Sequence, residues 1–329
     1  MLLILADSTD PWATLVHREA QRTGRNVVWI EPAQLLDRIL LNWPVMAEGA
    51  VVPGFLNIDG RTIPLDDLTG VFARLPFPLR LDLEGLSDSD AEYVTKEATA
   101  AWLAFLNAMP CSVVNRPIPG GRPTLLSGSP LLATLARDYG FLLPASRCTS
   151  SLADALQQFK TWGESAYLTP LGSVEPGLFL HSRDGVEQIC RVMEQQAVSL
   201  QAVPPGQQAT VYVAGEQVVA TVLRPGEAAP QPMEVLSTHA AQCRGLVRAL
   251  GLTFAECQIM INSDGVFCLD ISSAPNFWRC PQDAQQQIVA HLLEQLSELR
   301  SLSHHDSSHG ADGRSSARER VRPTRSPER

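Results

Sequence analysis

The first thirty residues constrain the fold more than any other stretch of this chain. Leu2–Ala6 is a continuous apolar run, the pattern of a strand buried on both faces of a parallel sheet. Asp10 then Pro11 reads as an N-cap followed by proline at the first helical position. Such a helix runs to about Arg22 and ends at Gly24. Asn26–Ile30 (NVVWI) is a second strand. Strand, helix and strand at this spacing predict an α/β layer. The opening apolar run is too short for a signal peptide and lacks a basic flank.

Further elements follow in order. Phe55–Pro64 is a hairpin turning at Asp59-Gly60, and Val71–Leu75 is a strand. Ser87–Met109 is a long helix with Val94, Ala98, Trp102 and Phe105 at helical spacing. Cys111–Asn115 is a strand that completes a first domain, residues 1–115. Arg116–Ser129 is rich in Pro, Gly and Ser, which predicts a linker or loop. Helices are expected at about 130–138 and 152–161, near Gly185–Glu194, at about 234–250 and at Gln285–Leu299. A strand lies between the first two of these helices, and Ala166–Leu168 is another. Val211–Leu223 and Gln258–Ile271 read as hairpins around Gly215 and Ser263-Asp264-Gly265.

Charge and cysteine usage exclude several classes. Ser303–Arg329 holds six arginines against four acidic residues, so the rest of the chain carries −11 of a net −9. An acidic body argues against nucleic-acid binding, which needs clustered Lys and Arg. No run reaches the roughly 20 apolar residues of a membrane span. Seven widely spaced cysteines with no CxxC pair predict buried, reduced thiols in a cytoplasmic protein. Residues 301–329 hold too few apolar groups to offset ordering entropy, so a disordered tail is expected. Its His304, His305 and His309 offer a weak metal site, against the plainer reading of a polar tail.

The late segments carry a more specific pattern. Arg248-Ala-Leu-Gly-Leu-Thr-Phe-Ala-Glu-Cys-Gln-Ile, then Asp264-Gly265, then Phe267-Cys-Leu-Asp-Ile-Ser-Ser-Ala-Pro-Asn-Phe resembles the end of an ATP-grasp domain. That family writes approximately "LGL-x-FA-x-x-D", a hairpin with "DG", and "FLEVNP". Phe72-Ala73-Arg74 resembles a strand ending in "YRRP", and Ser112-Val-Val-Asn115 resembles "CLVNP". Tyr167-Leu-Thr-Pro-Leu-Gly-Ser173 resembles "VVKPLxGS". Leu200–Gly206 and Val211–Gly215 resemble "QExIPG" and "RVxVVG". The likeness runs in order over about residues 1–298, and it is to RimK-like carboxylate–amine ligases, including those that modify peptides.

The resemblance implies a parallel-sheet pre-ATP-grasp domain followed by an α+β ATP-grasp-like domain at 116–300, with lobes of about 130–200 and 201–300. It also implies ATP between the lobes, held by two lysines, and Mg²⁺ held by two carboxylates and an asparagine. Phosphoryl transfer needs these groups because it is mostly electrostatics and positioning. Carried over position by position, the lysines become Ser129 and Thr169. The hinge reads Gln201 and Ala202, with Ala202 in place of an acid, and Thr210 replaces an arginine. The metal positions become Gln258, Asp270 and Ser272, of which Asp270 alone keeps a charge. Two lost charge-assisted contacts of roughly 1.5–3 kcal/mol each would weaken nucleotide binding about 10²–10⁴-fold.

Two functional readings follow from the resemblance. One is a degenerate ATP-grasp protein, a pseudoenzyme without cofactor, that binds a peptide, a small carboxylate or a catalytic partner. The other is an active ATP- and Mg²⁺-dependent ligase with an atypical nucleotide site. Substitute cations are Lys160, Arg224 and Arg279, each also readable as a surface charge. The loops Gly120-Gly121-Arg122 and Ser127-Gly128-Ser129 could cradle a phosphate or be ordinary loops. His17, His181 and His239 lie on separate segments, which supports no nucleophile triad. Asp7 and Glu31 end the first two strands, where a ligand, a helix cap for Asp7 or a solvated Glu31 is expected.

Overall fold

The computed structural model describes residues 1–297 except 37, 44, 48–49, 53, 76, 80, 82, 118–129, 172–176 and 223–229. The predicted tail at 301–329, Ser129, Arg224, both glycine-rich loops and the side chain of Arg279 lie outside the described part. No helix among the described residues is long and apolar enough to cross a membrane.

The chain opens with β1 (Leu2–Leu5), α1 (Pro11–Arg22) and β2 (Val27–Ile30). Short strands follow: β3 (Ile39–Asn42), β4 (Val45–Ala47), β5 (Ala50–Val52), β6 (Phe55–Ile58) and β7 (Arg61–Pro64). Then come β8 (Gly70–Ala73), α2 (Asp88–Ala108) and β9 (Ser112–Val114). Four strands form a parallel sheet in the order β2-β1-β8-β9. Asp10 caps α1 by accepting from the Ala13 N–H at 2.8 Å. Asp7 caps a turn instead of the helix, contrary to expectation: its Oδ1 accepts from the Thr9 N–H and hydroxyl. Glu31 is half-buried at a short 3-10 turn, where its N–H donates to Gln34. The hairpin turns at Asp59-Gly60, both at positive φ, and joins β6 to β7.

The second part comprises α3 (Pro130–Asp138), β10 (Ser146–Thr149), α4 (Leu152–Thr161), β11 (Ser165–Pro170), β12 (Leu178–His181), α5 (Ser182–Met193) and β13 (Val198–Ala202). Its strands form an antiparallel sheet in the order β10-β13-β11-β12. Helix α5 begins three residues before Gly185, and α4 packs so close to that position that a Cβ there would meet the Phe159 ring at 2.6 Å.

The third part comprises β14 (Gln207–Ala214), β15 (Gln217–Val222), β16 (Gln231–Met233), α6 (Ser237–Ala249), β17 (Phe254–Asn262), β18 (Gly265–Ser272) and α7 (Gln282–Gln295). Its five strands run in the order β16-β15-β14-β17-β18.

Strand alternation sorts each sheet's residues into layers. Leu3, Leu5, Val71 and Val113 pack on α2 and the β3-β6-β7 sheet. Leu2, Ile4, Phe72 and Val114 pack on α1 and α7, and the same core includes Tyr212, Ala214 and Phe254 of the large sheet. Trp12 anchors this junction, edge-on to Phe254 and Phe277, with its indole N–H on the Pro275 carbonyl at 2.9 Å. The back of the large sheet is covered by α3 and α6. The outer face of the small antiparallel sheet is covered by α4 and α5. The inner face of the four-stranded antiparallel sheet meets the part of the large sheet's inner face that α1 and α7 leave uncovered, where Tyr167 packs on Met260 and Leu269.

Candidate functional site

Leu168, Leu180, Val198 and Leu200 point outward to α4 and α5, so period-2 alternation turns Tyr167, Thr169, Ser199 and Gln201 inward. Tyr167 pairs with Gln201 and Thr169 with Ser199 across β11 and β13. On the large sheet, Val211, Cys257, Ile259 and Ile271 point to α6 and α3. Thr210, Glu256, Gln258, Asp270 and Ser272 therefore share the opposite face. Gln258 stands opposite both Thr210 and Asp270, and Glu256 stands opposite Ser272. A bulge at Gln258/Ile259 leaves Leu269 as the extra residue of β18.

These inward residues are buried: Thr169, Ser199, Gln201, Thr210, Glu256, Gln258, Asp270 and Ser272. Buried polar groups need partners. Gln258 exchanges hydrogen bonds with Thr210 at 3.1–3.2 Å and donates to Glu256 Oε1 at 2.6 Å. The other Glu256 oxygen accepts from the Asn276 N–H. Asp270 Oδ2 accepts from the Tyr167 hydroxyl and the Gly177 N–H, both at 3.2 Å, and Oδ1 accepts from the Ile271 N–H at 2.9 Å. Gln201 Nε2 donates to the Leu269 carbonyl at 2.8 Å. Thr169 Oγ1 is buried with no hydrogen-bond partner among the described residues.

Apolar contacts close the space beside these groups. Tyr167, Met260 and Leu269 form a small core between the two sheets, with Phe179, Val203 and Phe267 against it. A cavity of about 240 Å³ adjoins it, lined by Leu132, Ala136, Leu143, Ser199, Gln201 and Leu269 among others.

The structure gathers Thr169, Gln201, Thr210, Gln258, Asp270 and Ser272 into this one cleft. Ala202 lies half-buried at the end of β13, its N–H on the Ala145 carbonyl. Lys160 is exposed on α4. His17 packs edge-on to Trp29, His181 is exposed and His239 lies in the first turn of α6, so the histidines stay apart. Glu256 and Tyr167 join the site without a motif residue in the sequence to mark them. Glu256 stands two residues before Gln258, so strand period alone places both on one face.

The cysteines are buried as expected with one exception on β10. Cys111, Cys243, Cys257, Cys268 and Cys280 are buried and Cys190 is half-buried, but Cys148 is exposed. Cys148 stands opposite Ser199 on the face of β10 turned away from α4 and α5, where it lines the open cavity between the sheets.

The arrangement offers neutral hydroxyls and amides, two carboxylates and one orphan hydroxyl. It is a hydrogen-bonding surface. No group of three His, Cys, Asp or Glu suited to a metal ion occurs among the described residues.

No family model matches the sequence, and no curated protein matches it. Solved structures do. A RiPP-associated ATP-grasp ligase from Chryseobacterium gregarium, in complex with ADP and a leader and core peptide, superposes with a TM-score of 0.65 at 13 % identity, over 90 % of this chain and 96 % of its own. The ATP-grasp ligase PsnB, complexed with precursor peptide PsnA2 and AMPPNP, gives 0.64 at 18 % identity, over 90 % and 98 %. A RimK domain ATP-grasp protein from Sphaerobacter thermophilus gives 0.55 at 16 % identity, over 89 % and 98 %. At these identities the likeness is one of fold.

Proposed function

The chain has the ATP-grasp fold, and on that premise we propose that it is a cytoplasmic binding protein of carboxylate–amine ligase type whose nucleotide site no longer carries phosphoryl transfer. Its cleft would serve as a scaffold for a peptide or a catalytic partner. The observation that carries this reading is Thr169. It occupies the strand position where the resemblance expects a lysine, is 0 % exposed, and leaves its hydroxyl without a partner among the described residues. A hydroxyl dipole cannot replace an ammonium beside a triphosphate.

The donor set agrees. Gln258 and Ser272 supply neutral oxygens, and no lysine or arginine belongs to the buried polar set among the described residues. Mg²⁺ favours carboxylate oxygens in octahedral array. The described residues do not fit Mg·ATP as the resemblance would place it. A peptide as the bound class is supported by relatives of the same fold, solved with leader, core or precursor peptides.

A second reading has one observation in its favour. Glu256 and Asp270 bring two buried carboxylates to the same face of neighbouring strands. An active ligase with a shifted metal site would use both.

Calorimetric titration of the full-length protein with Mg·ATP separates the two. The scaffold reading expects no heat up to several millimolar nucleotide. Binding that Asp270→Ala or Glu256→Gln removes, while Ser297→Ala leaves it intact, would sink that reading and favour the ligase.

A further inference from the structure

Asp270 stands at a position where the resemblance expects a metal ligand, yet its carboxylate faces donors from the opposite lobe. Tyr167 O–H comes from β11 and Gly177 N–H from the residue before β12, and both reach Oδ2 at 3.2 Å. We propose that Asp270 is a fastener between the two antiparallel lobes, holding the cleft closed across the space a metal-bound phosphate would need. The proposal rests on the ATP-grasp placement of the cleft and goes beyond the loss of nucleotide chemistry, because it gives the remaining carboxylate a different task.

Three features show that the contact is built into the surroundings. Tyr167 is 0 % exposed, with its ring 4.8 Å from Phe179 and packed on Met260 and Leu269, so apolar contacts aim the hydroxyl. The resemblance expects a valine there, which could not reach across. Residue 177 must be glycine for its N–H to come so close: a Cβ would lie 2.5 Å from the Tyr167 ring and 2.8 Å from the Leu168 carbonyl. One residue before Asp270, Gln201 Nε2 crosses the same gap to the Leu269 carbonyl at 2.8 Å. The bulge presents Leu269 and Asp270 together at this seam.

A carboxylate strengthens the hydrogen bonds it accepts, and a divalent cation needs the same oxygen lone pairs. Fastening the lobes and holding a metal therefore compete for Oδ2.

The test is a double-mutant cycle in the full-length protein: Tyr167→Phe, Asp270→Asn and the pair, read by urea unfolding and by exchange of the Gly177 amide. Tyr167→Phe keeps the ring and removes only the hydroxyl. Each single change is expected to lower the folded-to-unfolded ratio about tenfold, with the pair little worse than either alone. The Gly177 amide should exchange at least tenfold faster in Asp270→Asn. Additive losses, or a Tyr167→Phe protein with unchanged unfolding, would overturn the fastener. If Asp270→Asn does not fold, unchanged unfolding in Tyr167→Phe overturns it alone. Nucleotide binding that leaves the coupling and the Gly177 exchange intact would overturn the functional reading and not this one.

Discussion

The side chain of Asn115 holds the backbone of Phe254 at both ends: Oδ1 accepts the Phe254 N–H at 2.8 Å and Nδ2 donates to the Phe254 carbonyl at 2.7 Å. The same amide takes the Thr253 N–H and reaches the Ser273 carbonyl. Asn115 follows the last strand of the parallel sheet, and Phe254 begins β17 of the large one. One side chain therefore sets the register between two sheets. Asn115→Ala would strip these backbone groups of their partners at a cost of about 2–4 kcal/mol. Asn115→Asp keeps the acceptor, loses the donor and sets a charge against two carbonyls. Urea midpoints should rank wild type above both variants, and a midpoint unchanged in Asn115→Ala would refute the role.

Glu256 gives the second prediction. The residue is 1 % exposed, and its two oxygens take the Gln258 amide and the Asn276 N–H. Glu256→Ala would take the acceptor from both donors, leaving the Gln258 amide with Thr210 alone, and open a cavity beside them, costing about 3–5 kcal/mol. Glu256→Gln preserves shape and one acceptor and should cost less than half of that. Thermal melts of the two variants decide it. Equal losses would mean that the charge itself matters beyond these two hydrogen bonds.

The thiols give a pH prediction. Cys257 is held well above the usual thiol range by its hydrogen bond with Cys243 and by burial, and Cys268 by burial. Burial pushes Cys280 up to about 12 from an ordinary value of 9.0. A thiol raised in the folded state binds its proton more tightly there than in the unfolded chain. Its contribution to stability is complete below about pH 9 and is lost as pH rises towards about 12. Urea midpoints should therefore fall above pH 9. Native alkylation at pH 8, followed by mass spectrometry, should mark Cys148 first and Cys190 next. Labelling of Cys257 or Cys268 before unfolding would contradict the burial.

Much of the fold was legible because local chemistry and burial agree. Asp10-Pro11, Ser87 and Asp59-Gly60 mark their turns and caps by hydrogen bonds and backbone geometry that depend on a few adjacent residues. Strand β13 carries no such mark. Val198 and Leu200 face helices while Ser199 and Gln201 face the cleft, so a strand buried on both sides reads like a half-solvated one. Strands β3 to β5 and β16 are three or four residues long, too short for a period to register. At the candidate site, the described positions carried by the resemblance, from Thr169 to Ser272, fall on two facing sheets. What was not legible is what each group does there. The partnership of Tyr167 with Asp270 joins residues 103 apart in sequence, and no local pattern encodes it.

Gly70 shows how silent such packing can be. It is a buried residue at the start of β8, and no turn or cap marks it in the sequence. A Cβ added there would lie 2.3 Å from the Leu296 carbonyl oxygen and 2.8 Å from Leu296 Cα. These are backbone atoms at the end of α7, so no rotamer change relieves the contact. The helix end is itself pinned: Leu296 is fully buried in the core shared with α1, and Arg25 donates to the Leu293 carbonyl. Gly70→Ala must therefore displace either the strand or the last turn of α7, at about 2–3 kcal/mol. Gly24→Ala is the control. Gly24 has φ +74° with open space around its Cβ position, so the cost there is backbone strain alone, about 1–2 kcal/mol. Urea unfolding should show Gly70→Ala as the weaker protein, with accelerated amide exchange confined to Leu292–Ser297. If the two variants lose equal stability and α7 keeps its protection, the close approach of β8 to α7 is not what demands glycine at position 70.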